Sequence, residues 1–407
     1  MLNKIYLLAI FLLPFDNLIF APSSGWATVT PIIFVIYILL NYKKFFIAVN
    51  NNFKGVSIIF LILIYSTTMS ILNGIDITNV FDTIQTIILG LCIYFSLYIR
   101  YIINKCDYKA DLKVLFLGYS LSIIYGVIKF ISLKYGISII ISFFKLIEKR
   151  YYNRVAFSFT EPSFIAMHIY GVLLILYLNI SDKLTKKRIK SLIIIFTIIA
   201  LISKSSSRFL LDTVIMLLIL NVNNILKKQK NFLKKITNIC GMIFIFGIIT
   251  FIALNNTRIK NTISNIYSDP SMASRLFRVE ASIYGYKKHP YLSLVGSGLG
   301  SSYYFLHEGY WEAYNNYTNN YMKEVNELYI YKPNQLFCMY IRLISEFGIV
   351  ITIYLITFFI FKCIRGNISI PTILISFYLY IQMDSYTFYT IPLILFICNY
   401  SKQQKIE

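Results

Sequence analysis

The sequence has few of the charged residues that soluble proteins carry on their surfaces. Only 14% of its 407 residues are charged, whereas 57% are hydrophobic. Acidic residues are especially scarce, with 18 Asp and Glu against 39 Lys and Arg. This composition excludes an ordinary soluble globular domain and predicts a polytopic membrane protein.

Several common site motifs are also missing. The six cysteines form no CxxC pair and none lies between positions 255 and 335, so neither a disulfide framework nor a cysteine-based metal centre is predicted. The chain has no DxD motif, which disfavours a metal-dependent glycosyltransferase that uses a nucleotide sugar. We therefore predict no metal and no cofactor. Most lysines lie in short links between apolar runs, which indicates membrane orientation and not nucleic-acid binding.

Twelve apolar segments fit a bilayer, since a span needs roughly 20 mostly apolar residues and fewer where its ends are anchored. We predict an all-α polytopic membrane protein of about 12 transmembrane helices, with one large, partly helical extracytoplasmic loop between spans 9 and 10. The predicted spans are residues 5–20, 29–42, 55–72, 80–99, 112–133, 162–180, 191–203, 209–222, 236–254, 336–361, 370–383 and 386–399.

Three regions follow from this assignment. Residues 1–254 form a bundle of about nine spans, residues 255–335 form the extracytoplasmic loop domain, and residues 336–407 hold spans 10 to 12 and the C-terminus. Lysine and arginine are concentrated in alternate links, so the positive-inside rule places both termini in the cytoplasm and the large loop outside.

The loop carries the most residue-specific character in the chain. It holds two of the three histidines, twelve of the 34 tyrosines and Trp311. Arg275 and Arg278 lie three residues apart in a segment predicted to be helical, so they share one face. Guanidinium groups stay charged and grip phosphate oxygens bidentately, which suits a diphosphate. The alternative is a plain connecting loop.

Two further features of the loop are open to two interpretations. Gly296, Gly298 and Gly300 allow successive backbone amides to converge on an anion, although this spacing alone is a weak signal. Trp311 and the surrounding tyrosines could stack on sugar rings, or they could form an aromatic belt at the membrane interface.

A carboxylate and a histidine occur together at the sixth predicted span. Glu161 precedes Pro162, which is typical of a helix start. His168 lies seven residues further on, two turns along the same face of a regular helix. One interpretation is a proton-transfer pair near the outer surface, and the other is a hydrogen-bonded histidine of the bundle.

Two arginines have an acidic residue four positions later, the spacing of an intrahelical ion pair. Both pairs could be structural salt bridges within the membrane, but for Arg208 we favour a functional role, because the preceding 204–207 segment adds cationic and hydroxyl donors at the membrane edge. For Arg342 and Glu346 we predict a structural role. Arg154 lies in a basic outer link that either binds an anionic ligand or only directs its lysines toward headgroups.

Several motifs follow one another along the chain. They are Arg154 through 160–163, the 205–208 segment, Arg275, His289-Pro290, Gly296-x-Gly298-x-Gly300, Asn334 and the 346–348 segment. In this order and topology, the motifs resemble the O-antigen polymerase and O-antigen ligase superfamily, specifically the Wzy-type repeat-unit polymerases. A His-Asn pair often found late in the loop in that superfamily appears here as Pro333-Asn334, which disfavours the ligase branch.

The resemblance implies a metal-independent glycosyltransferase of the bacterial cytoplasmic (inner) membrane. It would transfer a growing surface polysaccharide, such as O-antigen, capsule or exopolysaccharide, from polyprenyl diphosphate to a new lipid-linked repeat unit. Its partners would be these lipid-linked oligosaccharides, membrane lipid, a chain-length regulator and a flippase. The alternatives are a ligase-type glycan transferase and, from another class, a lipid-linked oligosaccharide flippase.

The resemblance also implies roles for individual residues. Catalytic positions would be those that stabilise the departing diphosphate or accept the proton of the acceptor hydroxyl. Substrate-binding positions would hold phosphate and sugar. The catalytic set is Glu161, His289, Arg208 and Arg275, and the binding set is Arg154, Arg278, Gly296, Gly298, Gly300, Asn334 and Trp311.

Overall fold

The computed structural model describes residues 2–18, 29–226, 270–317, 323–334 and 336–403. About 80% of these described residues are helical. Within the described ranges there is no β-strand, and the one extended contact is an isolated bridge between Leu18 and Glu148. The prediction of an all-α protein is confirmed for this part of the chain.

The helices are numbered in chain order. A long N-terminal series is followed by a group of short helices and then by three C-terminal ones. They are α1 Leu2–Leu12, α2 Val29–Leu40, α3 Tyr42–Asn51, α4 Phe53–Leu72, α5 Ile77–Tyr98, α6 Tyr108–Tyr135, α7 Ser138–Ile147, α8 Pro162–Asn179, α9 Lys183–Ile202, α10 Ser207–Leu226, α11 Pro270–Lys288, α12 Pro290–Val295, α13 Tyr304–Glu308, α14 Tyr310–Tyr317, α15 Lys323–Tyr331, α16 Met339–Arg365, α17 Ile370–Ile381 and α18 Thr390–Gln403.

Five of the described helices are long and apolar enough to cross a membrane: α4, α5 with its continuation to Ile103, α6, α8 and α16. Helices α2 and α3 would make a sixth span if taken together, although they meet at 97°. These helices are compatible with a multi-pass membrane protein. The predicted spans 5–20, 370–383 and 386–399 correspond to shorter apolar helices, and 191–203 and 209–222 lie within the 20-residue helices α9 and α10, which are not among the five. The segment 236–254 lies outside the described residues, so the count of twelve stays a prediction.

Local sequence signals explain several helix ends. Asp76, Asp107 and Asp182 precede α5, α6 and α9, and each side chain accepts a hydrogen bond from a backbone N–H in the first turn. Gly136 ends α6 with φ of +65°, a conformation that glycine adopts without strain. These caps fix where α5, α6 and α9 begin and where α6 ends.

Helix α8 lies at the centre of the bundle, with 67% of its residues buried. It begins as a 3-10 turn at Pro162–Phe164 and contains a π-helical segment at Ile169–Leu174. The 3-10 turn lies between Glu161 and His168, and Glu161 itself has an extended backbone with φ of −142° and ψ of 152°, so a spacing of seven residues does not keep these two side chains on one face. The expected alignment of Glu161 with His168 therefore fails.

His168 instead points into the bundle core. Its Nε2 lies 3.1 Å from Asp16 Oδ2, and its Nδ1 lies 3.3 Å from the Tyr119 hydroxyl. The ring stacks on Phe159 with centroids 4.2 Å apart. The structure thus favours the interpretation of His168 as a hydrogen-bonded histidine of the bundle.

The described part of the loop domain has a small core of its own. Helices α11, α14 and α15 bury Phe277, Ala281, Tyr310 and Val325 against one another. The same cluster continues through Leu336, Cys338 and Ile341 to the start of α16. The loop helices are therefore packed onto the end of a long apolar helix, which positions their side chains against the bundle.

Candidate functional site

Arg275 and Arg278 lie on the same face of α11, as the three-residue spacing predicted. Both guanidinium groups sit over the ring of Phe337, with Cζ 5.6 Å from the centroid for Arg275 and 4.5 Å for Arg278. Arg278 is only 5% exposed and also hydrogen-bonds with Tyr310. The segment leading into α16 thus provides an aromatic support for both cations.

Arg208 reaches the same region from the first turn of α10. Its Nε donates a hydrogen bond of 2.5 Å to Gln382 Oε1, and its Nη2 lies 3.4 Å from the Gln382 carbonyl oxygen. Asp212, one turn further along α10, has Oδ2 at 3.9 Å from Arg208 Nε. The side chain of Arg208 is 12% exposed, so it is held within the protein and not displayed on its surface.

A hydrogen-bonded network fixes this arginine. Asp212 Oδ1 accepts hydrogen bonds from the Tyr378 hydroxyl at 2.5 Å and from Gln382 Nε2 at 2.9 Å. The Gln382 amide therefore bridges Asp212 and Arg208, with its nitrogen toward the carboxylate and its oxygen toward the guanidinium. Such a network orients a charged group before any ligand arrives.

The charges of these residues act on one another. Burial lowers the pKa of Arg275 to about 10; the neighbouring positive charges of Arg208 and Arg278 lower it further, while Glu161 and Asp212 oppose the shift. A guanidinium with this pKa is still protonated at neutral pH. The structure thus gathers Arg208, Arg275 and Arg278 into one group, which we call the arginine cluster, with the carboxylates of Glu161 and Asp212 beside it.

The arginine cluster has unused hydrogen-bonding capacity. Among the described residues, Arg208 Nη1 and Arg278 Nε are buried and have no hydrogen-bond partner. A buried donor without a partner costs about 1 to 3 kcal/mol, and more when the group is charged. Donors of this kind suit a bound anion, because the oxygens of the anion would accept hydrogen bonds from them.

Glu161 adjoins the arginine cluster at the start of α8. Its carboxylate lies 3.3 Å from Arg150 Nη1 and accepts a hydrogen bond from Ser163 Oγ at 3.2 Å. The side chain is 31% exposed. Glu161 can therefore be reached from outside the protein, and Arg150 adds a fourth cation that the sequence analysis did not assign.

His289 does not join this cluster. It follows the last residue of α11, so it lies about 20 Å along the helix axis from Arg275 at 1.5 Å per residue. Its Nε2 is 3.5 Å from Glu308 Oε2, and its ring lies beside Tyr304. The structure separates the two proposed proton acceptors and keeps only Glu161 beside the arginines.

The glycine run is used for packing, contrary to our expectation of an anion cradle. The amides of Ser297, Gly298 and Leu299 donate to the carbonyl oxygens of Ser345, Glu346 and Ser66 at 2.8, 3.2 and 3.2 Å. The Gly296 amide bonds within α12. These donors are therefore taken up by backbone carbonyls and are not available to a ligand.

The three glycines allow this close packing because a side chain would not fit. Each has positive φ, from +74° at Gly300 to +104° at Gly298. A Cβ at Gly298 would lie 2.2 Å from the backbone nitrogen of Ser70, and one at Gly296 would lie 2.5 Å from the carbonyl carbon of Phe347. The run is thus a buried connection between the loop helices, α4 and α16.

The remaining candidates lie at the protein surface. Arg154 and Asn334 are exposed, and Trp311 is 56% exposed with its ring 6.2 Å from that of Tyr329. Tyr314 and Tyr329 stack on each other, with ring centroids 4.3 Å apart. This surface leaves both interpretations of the aromatic residues open.

Asn334 has a histidine beside it that comes from another part of the loop. Burial lowers the pKa of His307, whereas hydrogen bonding to the backbone of Lys332 and the side chain of Asn334 opposes this shift. The His307 ring lies 5.5 Å from that of Tyr310, which contacts Arg278. His307 was not predicted as a site residue, because 26 residues lie between it and Asn334 in the sequence.

Gln382, Tyr378 and Phe337 were also missed. No local pattern marks them, because each meets the arginine cluster across a long sequence separation. The sequence matches no known family model and no curated protein.

Proposed function

We propose that this chain is a bacterial surface-polysaccharide polymerase of the O-antigen, capsule or exopolysaccharide type. It transfers the growing glycan from its polyprenyl diphosphate carrier to a new lipid-linked repeat unit at the outer face of the cytoplasmic membrane. The proposal includes about 12 spans, cytoplasmic termini and an extracytoplasmic loop. The observation that carries it is the arginine cluster, in which buried guanidinium donors without partners lie beside a partly exposed carboxylate.

The negative charge that develops on the leaving group explains the role of the arginines. When the bond from the anomeric carbon to the diphosphate oxygen breaks, negative charge grows on that oxygen. Arg208, Arg275 and Arg278 provide planar donors that remain protonated, and binding that strengthens as charge develops lowers the barrier. Because Arg208 is already oriented by Gln382, little reorganisation accompanies the reaction.

The acceptor hydroxyl forms the new glycosidic bond. Its oxygen attacks the anomeric carbon, the polyprenyl diphosphate departs with the bonding electrons, and the hydroxyl proton passes to the Glu161 carboxylate. Glu161 is assigned this role over His289 because it adjoins the arginine cluster and is partly exposed. A general base must come within hydrogen-bond reach of the proton that it accepts.

The glycan that accumulates in variant strains tests the assignment as a polymerase. In a strain that carries Arg275→Ala, or in a deletion strain, we expect single repeat units at the outer face and no polymer ladder on a polyacrylamide gel. The protein level of the variant should match the wild type, as measured by immunoblot. Arg188→Ala, a change in the basic α9 segment, serves as the control and should retain the ladder.

The other outcomes identify the alternatives. Long polymer that stays on the lipid carrier would show a ligase, because polymerisation would then be intact. Lipid-linked repeat units confined to the inner face would show a flippase. Either result would overturn the polymerase assignment.

A further inference from the structure

A second region of the bundle contains a mostly apolar cavity. Its volume is about 340 Å³, and it lies among α4, α5, α16, α17 and α18. Ile59, Leu63, Leu91, Leu343 and Phe359 are typical of its lining. None of the arginine-cluster residues lines it, so the cavity is separate from the site described above.

Helix α4 is hydrogen-bonded to its neighbours at both of its ends, which explains why the space between the two ends of the helix stays open. At one end Ser66 Oγ donates to the Glu346 carbonyl at 2.8 Å, and Ser70 Oγ donates to the Leu299 carbonyl at 2.9 Å. At the other end Asn52 Oδ1 accepts a hydrogen bond from the Tyr94 hydroxyl at 2.8 Å. Between these attachments, the inner face of α4 borders the cavity.

The apolar lining selects the chemistry of an occupant. Engineered apolar cavities of about 150 Å³ stay dry and bind small hydrocarbons. The cavity here has more than twice that volume and belongs to helices apolar enough to lie in a bilayer. The available apolar molecules in that environment are lipid chains.

The two ends of the cavity differ in charge. At one end, the Tyr386 hydroxyl and Arg342 are both bonded to Glu346, so the polar groups there satisfy one another. At the other end, Lys362 lines the cavity together with Asn52 and Asn399. Within the described part of the chain, no carboxylate forms an ion pair with Lys362. A negatively charged headgroup would complement that end.

We propose that this cavity holds one acyl chain of an anionic phospholipid, with the headgroup phosphate at Lys362. The positive-inside rule predicts that Lys362 faces the cytoplasm, which places the lipid in the inner leaflet. The chain lies between α4 and α16, and Asn52 and Asn399, which are hydrogen-bonded to each other, line the cavity near the glycerol region. The lipid would thus fill the gap that the two attachments of α4 leave.

Native mass spectrometry of the full-length protein tests the proposal. The protein is purified in detergent, stripped of lipid and titrated with phosphatidylglycerol or phosphatidylcholine. We expect one tightly retained phosphatidylglycerol. Leu63→Trp should fill the cavity and abolish its retention, whereas Leu61→Trp on the lipid-facing side of the same helix should retain it, since Leu61 is 64% exposed.

A charge variant tests the headgroup without changing the cavity. Lys362→Gln should weaken phosphatidylglycerol binding on the order of fivefold, the effect of one basic residue near a headgroup. The control Lys113→Gln, at the start of α6, should leave binding unchanged. Equal retention in Leu63→Trp, equal affinity in Lys362→Gln, or displacement of the phospholipid by polyprenyl phosphate would overturn the proposal.

Discussion

Two arginines in this chain have the same sequence setting and opposite surroundings. Arg342 and Arg208 are each followed by a carboxylate four residues later. Arg342 Nε is 3.0 Å from Glu346 Oε1, Nη1 is 2.7 Å from the Asp384 carbonyl and Nη2 is 3.3 Å from Thr83 Oγ1. Arg208 lies 3.9 Å from Asp212 and keeps Nη1 without a partner among the described residues.

The difference lies in how much hydrogen-bonding capacity remains. The Arg342 guanidinium is bonded through all three nitrogens and also lies 4.6 Å from the Tyr386 ring centroid. Each of its nitrogens therefore already has a partner within the protein. Arg208 is held on one side by Gln382, and its buried Nη1 has no hydrogen-bond partner among the described residues. The four-residue spacing thus shows where an ion pair can form, but not whether the arginine keeps donors for a ligand.

Removal of Glu346 should have the largest effect on stability. Glu346→Ala would leave Arg342 buried without its carboxylate, which costs about 3 to 5 kcal/mol. We expect a large fall in the melting temperature and in the yield of folded protein in detergent, measured by a thermal unfolding assay. Unchanged stability would mean that the Arg342 pair is as open as the Arg208 pair.

Gly298→Ala should be the next most destabilising change. The new Cβ would meet the Ser70 backbone, and alanine would have to adopt φ of +104°. Overpacking alone typically costs about 1 to 3 kcal/mol. Thermal unfolding should show the loss, and Gly55→Ala is the control because that position has no atom within 4 Å of the added Cβ. Normal stability with loss of diphosphate binding would instead favour the anion cradle.

Arg208→Lys should affect activity more than stability. Lysine retains the charge but loses the planar fork that meets both Gln382 and a phosphate oxygen. We expect at least about a tenfold loss of polymer, equivalent to about 1.4 kcal/mol, at an unchanged protein level. The matched variant Arg342→Lys should lower stability instead. A normal ladder from Arg208→Lys would assign this arginine to structure.

The sequence predicted much of the fold because long apolar runs form helices almost regardless of context. Helices α4, α5, α6 and α16 begin and end within a few residues of the predicted spans. The sharp bend at Asn41 between α2 and α3 was not predicted, since it depends on how the two segments pack. Residues 236–254 and the outer position of the loop remain predictions.

The candidate site was predictable from the sequence only where it depends on residues that are close together in the chain. The shared face of Arg275 and Arg278 follows from helix geometry, and the structure confirms it. The bridge through Gln382, the support from Phe337 and the inward turn of His168 depend on contacts between distant segments. A single sequence contains no periodicity that records such contacts.

The break in α16 at Gly348, where φ is +81° and ψ is +165°, joins two regions into one folding unit. It leaves the Ser345 and Glu346 carbonyls to accept the amides of Ser297 and Gly298. Neither the loop nor α16 can provide hydrogen-bond partners for these groups by itself. Residues 270–334, expressed without α4 and α16, should therefore lack cooperative unfolding, so the loop should gain its structure only after α16 has inserted.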